Sequence, residues 1–263
     1  MTAETGFAGR VAWVTGAGGG MGARHAERLA ACGARVACLD IDGNAAERVA
    51  AGIRAGGGVA AAATADVGDW EATRAAAEAM QAELGAVHAV VANAGVLGPV
   101  ALVSELEPSE WSHALTVNLT GVFHTAKAAI PQMRSHGGAM VLVSSISGLR
   151  GYAGAAAYNA SKHGVIGLMR TLANELAGDG IRVNAVCPGW VDTPMFAAQV
   201  EIAGLGRAEA ISRWAPDQLI ERLVTPDEVS DAVLWLLSES ARMITGVALP
   251  VDGGMLERTL AQA

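Results

Sequence analysis

Three side chains in the second half of the sequence have the types and the spacing of a proton-transfer site. Tyr158 and Lys162 lie four residues apart in a segment whose pattern predicts a helix, so they share one face. A tyrosine has an ordinary pKa of about 10, and a nearby ammonium lowers that pKa by stabilising the phenolate. Tyr158 could then pass a proton to or from a substrate oxygen. Ser145, at the end of a predicted strand, could hydrogen-bond the same oxygen.

The Tyr–Lys spacing arises often by chance, so by itself it is a weak signal. His113 and His163 are interpreted as surface or packing residues, because neither stands in an obvious position to activate the serine as a nucleophile. The sequence also contains three cysteines, and we expect their thiols to be reduced and buried, with a catalytic cysteine as the alternative. No metal-type spacing relates the three cysteines, which are Cys32, Cys38 and Cys187.

Strand-like apolar runs alternate with helical patterns along the 263 residues. The predicted strands are 11–15, 35–39, 59–64, 87–92, 139–144, 182–187 and 246–251, and the predicted helices are 22–32, 44–55, 70–84, 109–134, 155–177 and 226–237. This alternation indicates βαβ units, and strands apolar on both faces belong to parallel sheets covered by helices. The sequence therefore predicts an α/β fold with a doubly wound parallel sheet, in a single domain over residues 1–263.

A glycine-rich turn follows the first predicted strand and runs into the first helix. Glycine allows a tight turn, and its missing side chain lets a pyrophosphate approach the backbone. The helix N-terminus supplies free N–H groups and a partial positive charge. A close helix–strand contact is the alternative explanation. The predicted phosphate-binding residues are Gly16, Gly18, Gly20, Met21 and Gly22.

An acidic residue closes the second predicted strand. Asp40 stands about 20 residues after the glycine turn, where a carboxylate can accept hydrogen bonds from the ribose hydroxyls of a dinucleotide and would repel a 2′-phosphate. Gly19 and Ile41, beside the expected ribose, are uncharged, whereas a phosphate would need Arg or Lys there. The pattern favours NAD over NADP, with a solvated strand end as the alternative for Asp40.

Two further strand ends carry polar residues beside small ones. Because strand C-termini line the ligand crevice of a doubly wound sheet, Asp66 could bond the adenine amino group with Val67 beside the ring. A cap for the helix that follows is the alternative for Asp66. Asn93 is expected to tie neighbouring strand ends together, and Ala94 and Gly95 follow it in the same crevice, where the glycine lets the cofactor lie close.

Composition excludes several classes of protein. A hydrophobic fraction of 52% with 17% charged residues excludes a disordered chain. A net charge of −8, without a cluster of Lys and Arg, argues against nucleic acid as a partner. No apolar run reaches the length of about 18 residues that a membrane span needs. Residues 1–9 lack a signal-peptide pattern, so we expect a cytoplasmic protein.

In order along the chain, these features resemble the short-chain dehydrogenase/reductase family. The resemblance covers nearly the whole chain, and the joint pattern is specific although each part alone is not. Ala92 departs mildly from the asparagine that is usual at its position in the family. The matching pieces are Thr15 to Gly22, Asp40, Asp66-Val67, Asn93-Ala94-Gly95, Asn118, Ser145, Tyr158-Asn159-Ala160-Ser161-Lys162, Pro188-Gly189 and Asp252-Gly253-Gly254.

The resemblance implies a catalytic tetrad of Asn118, Ser145, Tyr158 and Lys162. In this family the asparagine would hold a water that links the lysine to solvent. Family members are commonly homotetramers, so a homotetramer is implied as well. The further cofactor contacts that the resemblance implies come from Pro188, Gly189, Thr193 and, through its backbone, Val191. Tyr158 and Lys162 are predicted cofactor contacts as well, since Lys162 could hold the nicotinamide ribose.

Between residues 190 and 225 the pattern becomes irregular, and such a long insertion is usually functional. By the resemblance this segment is a lid over the substrate, with subunit packing as the alternative. Its large apolar side chains predict an apolar substrate that could be cyclic. Arg150 could meet a substrate carboxylate, although solvated surface is the favoured interpretation. The candidate substrate residues are Leu97, Ile146, Leu149, Tyr152, Trp190, Met195, Phe196 and Trp214.

Three functions are compatible with these patterns. The favoured one is an NAD-dependent oxidoreductase that transfers a hydride between nicotinamide and a secondary alcohol or ketone. The second is a reductase of 3-ketones on an acyl carrier protein, which usually uses NADPH, so Asp40 counts against it. The third is a non-catalytic NAD-binding protein on the same fold, which would have no need of the Ser-Tyr-Lys set.

Overall fold

The computed structural model describes residues 6–258, which build one parallel sheet with helices on both faces. The strands are β1 (Val11–Thr15), β2 (Arg35–Asp40), β3 (Val59–Thr64), β4 (Val87–Ala92), β5 (Gly138–Val143), β6 (Ile181–Pro188) and β7 (Ala248–Val251). Their order across the sheet is β3-β2-β1-β4-β5-β6-β7. The order reverses between β1 and β4, and doubly wound sheets bind ligands at the strand C-termini beside such a reversal. The predicted fold class is confirmed.

The helices divide between the two faces of the sheet. They are α1 (Gly20–Ala31), α2 (Gly43–Ala55), α3 (Trp70–Leu84), α4 (Pro108–Leu115), α5 (Gly121–Met133), α6 (Ala156–Leu176), α7 (Pro194–Ile202), α8 (Arg207–Trp214) and α9 (Pro226–Leu237). Helices α1, α2 and α9 cover one face, where Leu29, Ile53 and Leu234 are buried. Helices α3, α5 and α6 cover the other face, where Met80 and Met169 are buried.

The predicted strands and helices agree with the structure to within two residues at almost every boundary. The predicted helix over 109–134 is the main exception, because a π-helical turn, Thr116–Thr120, separates α4 from α5. Asn118 lies in this turn, accepts the Val96 N–H at 2.7 Å and donates to the Val96 carbonyl at 2.9 Å. Such turns occur often at functional sites, and the apolar period of the sequence gives no sign of the extra residue.

The segment 190–225, predicted to be irregular, contains the two short helices α7 and α8. Thr193 caps α7 by accepting the Phe196 N–H at 3.3 Å, and Pro194 occupies the first helical position. Threonine followed by proline is a helix-start signal that the sequence analysis missed. The segment packs on a small cluster of its own, formed by Phe196, Val200, Ala210 and Leu223.

The structure tests the expectation that the cysteine thiols are buried and not catalytic. Cys38 and Cys187 are buried free thiols, and burial raises the pKa of Cys38 to about 12 and that of Cys187 to about 11. Both are therefore protonated at neutral pH, which argues against a catalytic thiolate.

No helix within residues 6–258 is long and apolar enough to cross a membrane. Residues 1–5, part of the segment judged to lack a signal-peptide pattern, lie outside the described residues.

A buried histidine between α1 and α9 should make the fold acid-sensitive. The His25 Nδ1 lies 2.8 Å from the Ser230 hydroxyl, which itself donates to the Pro226 carbonyl, so Nδ1 carries a proton and donates to that hydroxyl. Burial lowers the pKa of His25 from 6.5 to about 3. The stability that this neutral ring allows is complete above pH 6.5 and is lost as the pH falls towards 3.

We expect the free energy of unfolding to fall by up to about 1.4 kcal/mol per pH unit in this window, through His25 alone. In a His25→Leu variant the remaining pH dependence should be correspondingly shallower, because leucine does not titrate. Urea unfolding of both proteins at pH 7 and pH 5 measures the difference. Equal pH slopes for the two proteins would show that the imidazole does not resist protonation.

Candidate active site

The glycine turn after β1 is closed by contacts that only glycine permits. Gly16 has a φ of 65°, in the left-handed region, and a Cβ there would lie 2.8 Å from the Ala94 Cα. A Cβ on Gly22 would lie 1.9 Å from the Gly16 carbonyl oxygen. The first turn of α1 therefore packs directly against the loop after β1. This geometry leaves the helix N-terminus open to a ligand, as an anion-binding turn requires.

Asp40, at the end of β2, both holds this turn and faces the space above it. Its Oδ2 accepts the Gly18 N–H at 2.8 Å and its Oδ1 accepts the Asp42 N–H at 2.9 Å. Each carboxylate oxygen keeps a lone pair for a further donor. Asp40 is therefore not only a solvated strand end, because it fixes the shape of the glycine turn.

Asn93 ties the ends of β1 and β4 together, as its position after β4 predicts. Its Nδ2 donates to the Thr15 and Gly16 carbonyls at 3.1 and 3.3 Å. The Thr15 hydroxyl in turn accepts the N–H groups of Asn93 and Ala94. The Asn93 Oδ1 is buried and has no hydrogen-bond partner among the described residues. A buried acceptor without a donor is costly, so this atom points to a ligand that supplies one.

A cavity of about 480 Å³, here named the glycine-turn cavity, opens along these strand ends. Gly18 and Gly22 do not line it and instead shape the turn. Three features together fit a dinucleotide. They are the glycine turn at the helix N-terminus, the unused lone pairs of the Asp40 carboxylate and the Asn93 Oδ1, which has no partner among the described residues. The predicted residues that line the cavity are Gly16, Gly20, Met21, Asp40, Ile41, Asp66, Val67, Asn93, Ala94, Gly95 and Thr193.

The structure decides between the two interpretations of Asp66. The cap of α3 is Asp69, whose carboxylate accepts the Ala72 N–H at 3.0 Å. Asp66 is exposed, lines the glycine-turn cavity and accepts the Gly68 N–H at 2.8 Å, while Val67 is buried beside it. The helix-cap alternative for Asp66 is therefore wrong, and its carboxylate is available at the cavity wall.

Lys162 lies under the site as an almost completely buried ammonium. Its exposed fraction is 3%, and Nζ donates to the Val143 carbonyl at 2.9 Å. Burial lowers its pKa to about 8. The Nζ atom lies 5.6 Å from the centre of the Tyr158 ring, which confirms that the two side chains share one face of α6. Near neutral pH the lysine is therefore mostly charged and places an ammonium beside the phenol.

The half-buried Tyr158 lies near both Ser145 and this lysine. Burial raises the pKa of Tyr158, and hydrogen bonding to the Ser145 hydroxyl lowers it in part. Ser145 follows β5 and also accepts the Ser147 N–H at 3.1 Å, which fixes its side chain. The tyrosine is therefore a neutral phenol in this state, and a neighbouring cation is needed to make it a base near neutral pH.

Asn118 is wholly buried beside the lysine. Its side chain is fully engaged with the Val96 backbone and with the Ser161 hydroxyl at 3.3 Å. A Cβ on Gly95 would lie 3.1 Å from Asn118 Oδ1 and 3.5 Å from Lys162 Nζ, so these three residues are immediate neighbours. The structure thus brings all four residues of the implied tetrad into one region, formed by the π-helical turn before α5, the loop after β5 and helix α6.

A second cavity of about 280 Å³, here named the apolar cavity, adjoins the glycine-turn cavity. The two share Met21, Thr193 and Met195. Ser145 and Tyr158 line the apolar cavity, and none of its described lining residues is charged. The other predicted residues that line it are Leu97, Ile146, Tyr152, Pro188, Gly189, Trp190, Val191, Met195 and Phe196.

Two predicted substrate residues lie elsewhere. Leu149 is 37% exposed and lies outside the apolar cavity. It follows the short turn Ile146–Gly148, and its side chain faces solvent. Trp214 lies behind Trp190, with its ring stacked at 5.2 Å, and does not line the cavity. Arg150 is exposed and packs over the Tyr152 ring at 5.9 Å, as its surface interpretation predicts.

The structure adds lining residues that sequence reasoning missed. Some of them could have been predicted from the sequence, because Val96, Pro99 and Val100 follow β4 and Met255 follows β7 at the same sheet edge. Gln199 was not, since it reaches the cavity from a helix that the sequence analysis did not predict. The remaining additions are Ala65, His113, Val117, Ser144, Ser147, Ala153, Ala155 and Pro194, whereas Gly19, expected beside the ribose, does line the glycine-turn cavity.

Comparison with known proteins agrees with this geometry. A family model described as enoyl-(acyl carrier protein) reductase matches residues 16–256. Cis-4-hydroxycyclohexanecarboxylate dehydrogenase of Sinomonas cyclohexanicum is 41% identical over 249 residues, covering 94% of this chain and 97% of the relative. (−)-trans-Carveol dehydrogenase of Rhodococcus erythropolis is 38% identical over 269 residues, covering 94% of this chain and 97% of the relative.

A solved structure extends the likeness to three dimensions. The crystal structure of carveol dehydrogenase from Mycobacterium avium in complex with NAD superposes with a TM-score of 0.92 at 34% identity. The match covers 98% of this chain and 100% of the other. With the ordered motifs, the parallel sheet and the matched length, the chain belongs to the short-chain dehydrogenase/reductase family.

Proposed function

We propose that this protein is an NAD-dependent dehydrogenase of uncharged, cyclic secondary alcohols. One observation carries the proposal: Ser145 and Tyr158 line an apolar cavity in which no described lining residue is charged, and this cavity joins the glycine-turn cavity. Relatives named for a hydroxycyclohexanecarboxylate, for carveol and for cyclohexanol support the ring-shaped substrate, and the last two are named for uncharged alcohols. The absence of a charge among the described lining residues supports an uncharged one, because a carboxylate would be desolvated without a partner.

The residues of the site have complementary roles in this proposal. Tyr158 takes the proton of the substrate hydroxyl, and Ser145 hydrogen-bonds the same oxygen as its charge changes. Lys162, charged below about pH 8, stabilises the phenolate. The apolar walls exclude water from this exchange. NAD held in the glycine-turn cavity would supply the acceptor for the hydride that leaves the carbinol carbon.

NAD fits the glycine-turn cavity better than NADP does. The Asp40 carboxylate lines the cavity and would repel a 2′-phosphate, while its oxygens can accept the ribose hydroxyls. Gly19 and Ile41, which also line the cavity, carry no positive charge. The carveol dehydrogenase of similar structure is in complex with NAD. We assign the nicotinamide end to the strand ends near Pro188, Gly189, Val191 and Thr193.

Replacing Asp40 with alanine should weaken NADH binding and lower the NADH-over-NADPH affinity ratio by about tenfold or more, since both a hydrogen-bond acceptor and a repulsive charge are lost. Asp40→Asn is the matched control. It keeps one oxygen for the Gly18 N–H, so the turn should hold while the repulsion disappears. Titration of nicotinamide fluorescence measures both affinities. An unchanged ratio in both variants would remove the argument for Asp40.

Two further features belong to the same proposal. The segment 190–225 acts as the substrate lid, because Trp190, Val191, Thr193, Met195, Phe196 and Gln199 form part of the apolar cavity wall. The chain acts as one domain, and the homotetramer implied by the family resemblance stays a prediction that sedimentation would test.

The direct test is a screen of ring-bearing and open-chain secondary alcohols with NAD⁺ and with NADP⁺, following formation of the reduced cofactor. The expected result is turnover of uncharged cyclic alcohols with NAD⁺. Preferred NADPH-dependent reduction of 3-ketoacyl thioesters would contradict the proposal and favour the acyl-carrier reductase. Cofactor binding without turnover of any alcohol or ketone would favour a binding protein.

A further inference from the structure

The lid contains an aromatic assembly that is built around one side chain of the apolar cavity. Trp190 stacks on Trp214 with ring centres 5.2 Å apart and an interplanar angle of 15°. Phe196 meets both indoles edge-on, at 6.3 Å from Trp190 and 5.8 Å from Trp214. Parallel and edge-on aromatic contacts at these distances are favourable. Of the two indoles only Trp190 lines the cavity.

Polar contacts hold the same tryptophan from its other sides. The indole Nε1 donates to the Asp217 carboxylate at 3.3 Å. The Trp190 backbone N–H donates to Gln218 Oε1 at 3.0 Å. Gln218 is wholly buried and its amide also donates to the Arg222 carbonyl. The indole is therefore fixed in position and in tilt, since its ring, its nitrogen and its backbone each have a partner.

A fixed indole gives the cavity a rigid, flat wall. Trp214 covers one face of the indole, so the face and edge that remain are what the cavity presents. A preformed apolar surface favours a ligand that is itself rigid, because such a ligand loses little conformational entropy when it lies flat. An open chain gains the same apolar contact but must be ordered to make it.

We infer that Trp190 is the residue that selects ring-bearing over open-chain alcohols, and that Trp214 and Asp217 are positioning residues for it. The inference rests on the proposed function, because it names the structural basis of ring selection in the same cavity. The ring of the substrate lies against the free face of the indole. The hydroxyl then reaches Ser145 and Tyr158, which line the same cavity.

The test compares cyclohexanol with 2-hexanol, which have the same number of carbons and one hydroxyl each. In Trp190→Ala and Trp214→Ala the ratio of kcat/KM for the two alcohols should fall by about tenfold, mainly through KM for the ring. Trp214→Phe keeps a stacking partner and should retain most of the ratio. Affinity for NADH should stay at the wild-type value in all three variants.

Two surface variants keep the test decisive if the alanine variants fold poorly. Asp217→Leu removes the acceptor of the indole N–H at an exposed position and should lower the ratio about threefold. Glu209→Gln, exposed on the same helix as Trp214 and without a side-chain hydrogen bond among the described residues, should leave the ratio unchanged.

The possible outcomes separate this inference from the proposed function. If the wild type prefers cyclohexanol but Trp190→Ala and Asp217→Leu keep the wild-type ratio, the tryptophan wall is wrong and the proposed function stands. If the wild type turns over neither alcohol, or prefers 2-hexanol, the proposed substrate class is wrong and this inference falls with it.

Discussion

Replacing Tyr158 with phenylalanine should lower kcat by about 1,000-fold, within the range expected when a general acid–base is removed. Among the described residues that line the apolar cavity, Tyr158 is the phenol that has both the Ser145 hydroxyl and the Lys162 ammonium nearby. NADH affinity should stay within about twofold, since phenylalanine preserves the packing of α6 and the glycine turn is untouched. Steady-state kinetics together with a fluorescence titration of NADH measure the two effects separately.

The chain offers a matched control for this substitution, because its only other tyrosine lines the same cavity. The Tyr152 hydroxyl is buried and has no hydrogen-bond partner among the described residues, so Tyr152→Phe loses no such bond within the protein. We expect it to lower kcat far less than Tyr158→Phe does. Retained turnover in Tyr158→Phe, or equal losses in both variants, would exclude Tyr158 as the proton-transfer group.

Replacing Lys162 with methionine should lower kcat for alcohol oxidation at pH 7 by about 100-fold, because the phenol loses the nearby cation that lowers its pKa and stabilises the phenolate. Methionine fills most of the buried space but cannot donate to the Val143 carbonyl. The unfilled acceptor should also destabilise the fold by about 1–3 kcal/mol. Thermal unfolding of the variant therefore accompanies the kinetic measurement.

The pH dependence gives this prediction its sign. Oxidation needs the tyrosine without its proton, and burial raises the pKa of Tyr158, so the rate in the wild type should rise with pH. The pKa of Lys162 is about 8, so its charge is lost above that pH and the rise should become shallower there. In Lys162→Met the rise should move to higher pH, without a change of slope near pH 8.

Lys127→Met is the control, since Lys127 is the only other lysine and lies on the surface over the Trp70 ring. Its pH profile should match that of the wild type. If Lys162→Met shows the wild-type profile at reduced kcat, the lysine positions groups and does not stabilise the phenolate. If Lys162→Met changes only the NADH affinity, the lysine acts only in cofactor binding.

The comparison of Asp66 with Asp69 shows where sequence reasoning stops. Both carboxylates precede α3, and either could cap it by local pattern. Only the backbone path decides that Asp69 accepts the Ala72 N–H while Asp66 lies at the cavity wall. The same holds for Trp190 and Trp214, which look alike in the sequence although one lines the cavity and the other supports it.

The sequence by itself determined the sheet, the glycine turn, Asp40 and the Ser-Tyr-Lys set. These depend on short-range physics: apolar runs that fit buried strands, glycines at tight contacts, and the four-residue spacing on one helix face. Tertiary structure alone decided the π-helical turn at Asn118, which side chains of the segment 190–225 reach the apolar cavity, and, among the described residues, the unpartnered Asn93 oxygen and the absence of a charged wall. These depend on which distant segments meet at one sheet edge, and no local pattern in the chain encodes that meeting.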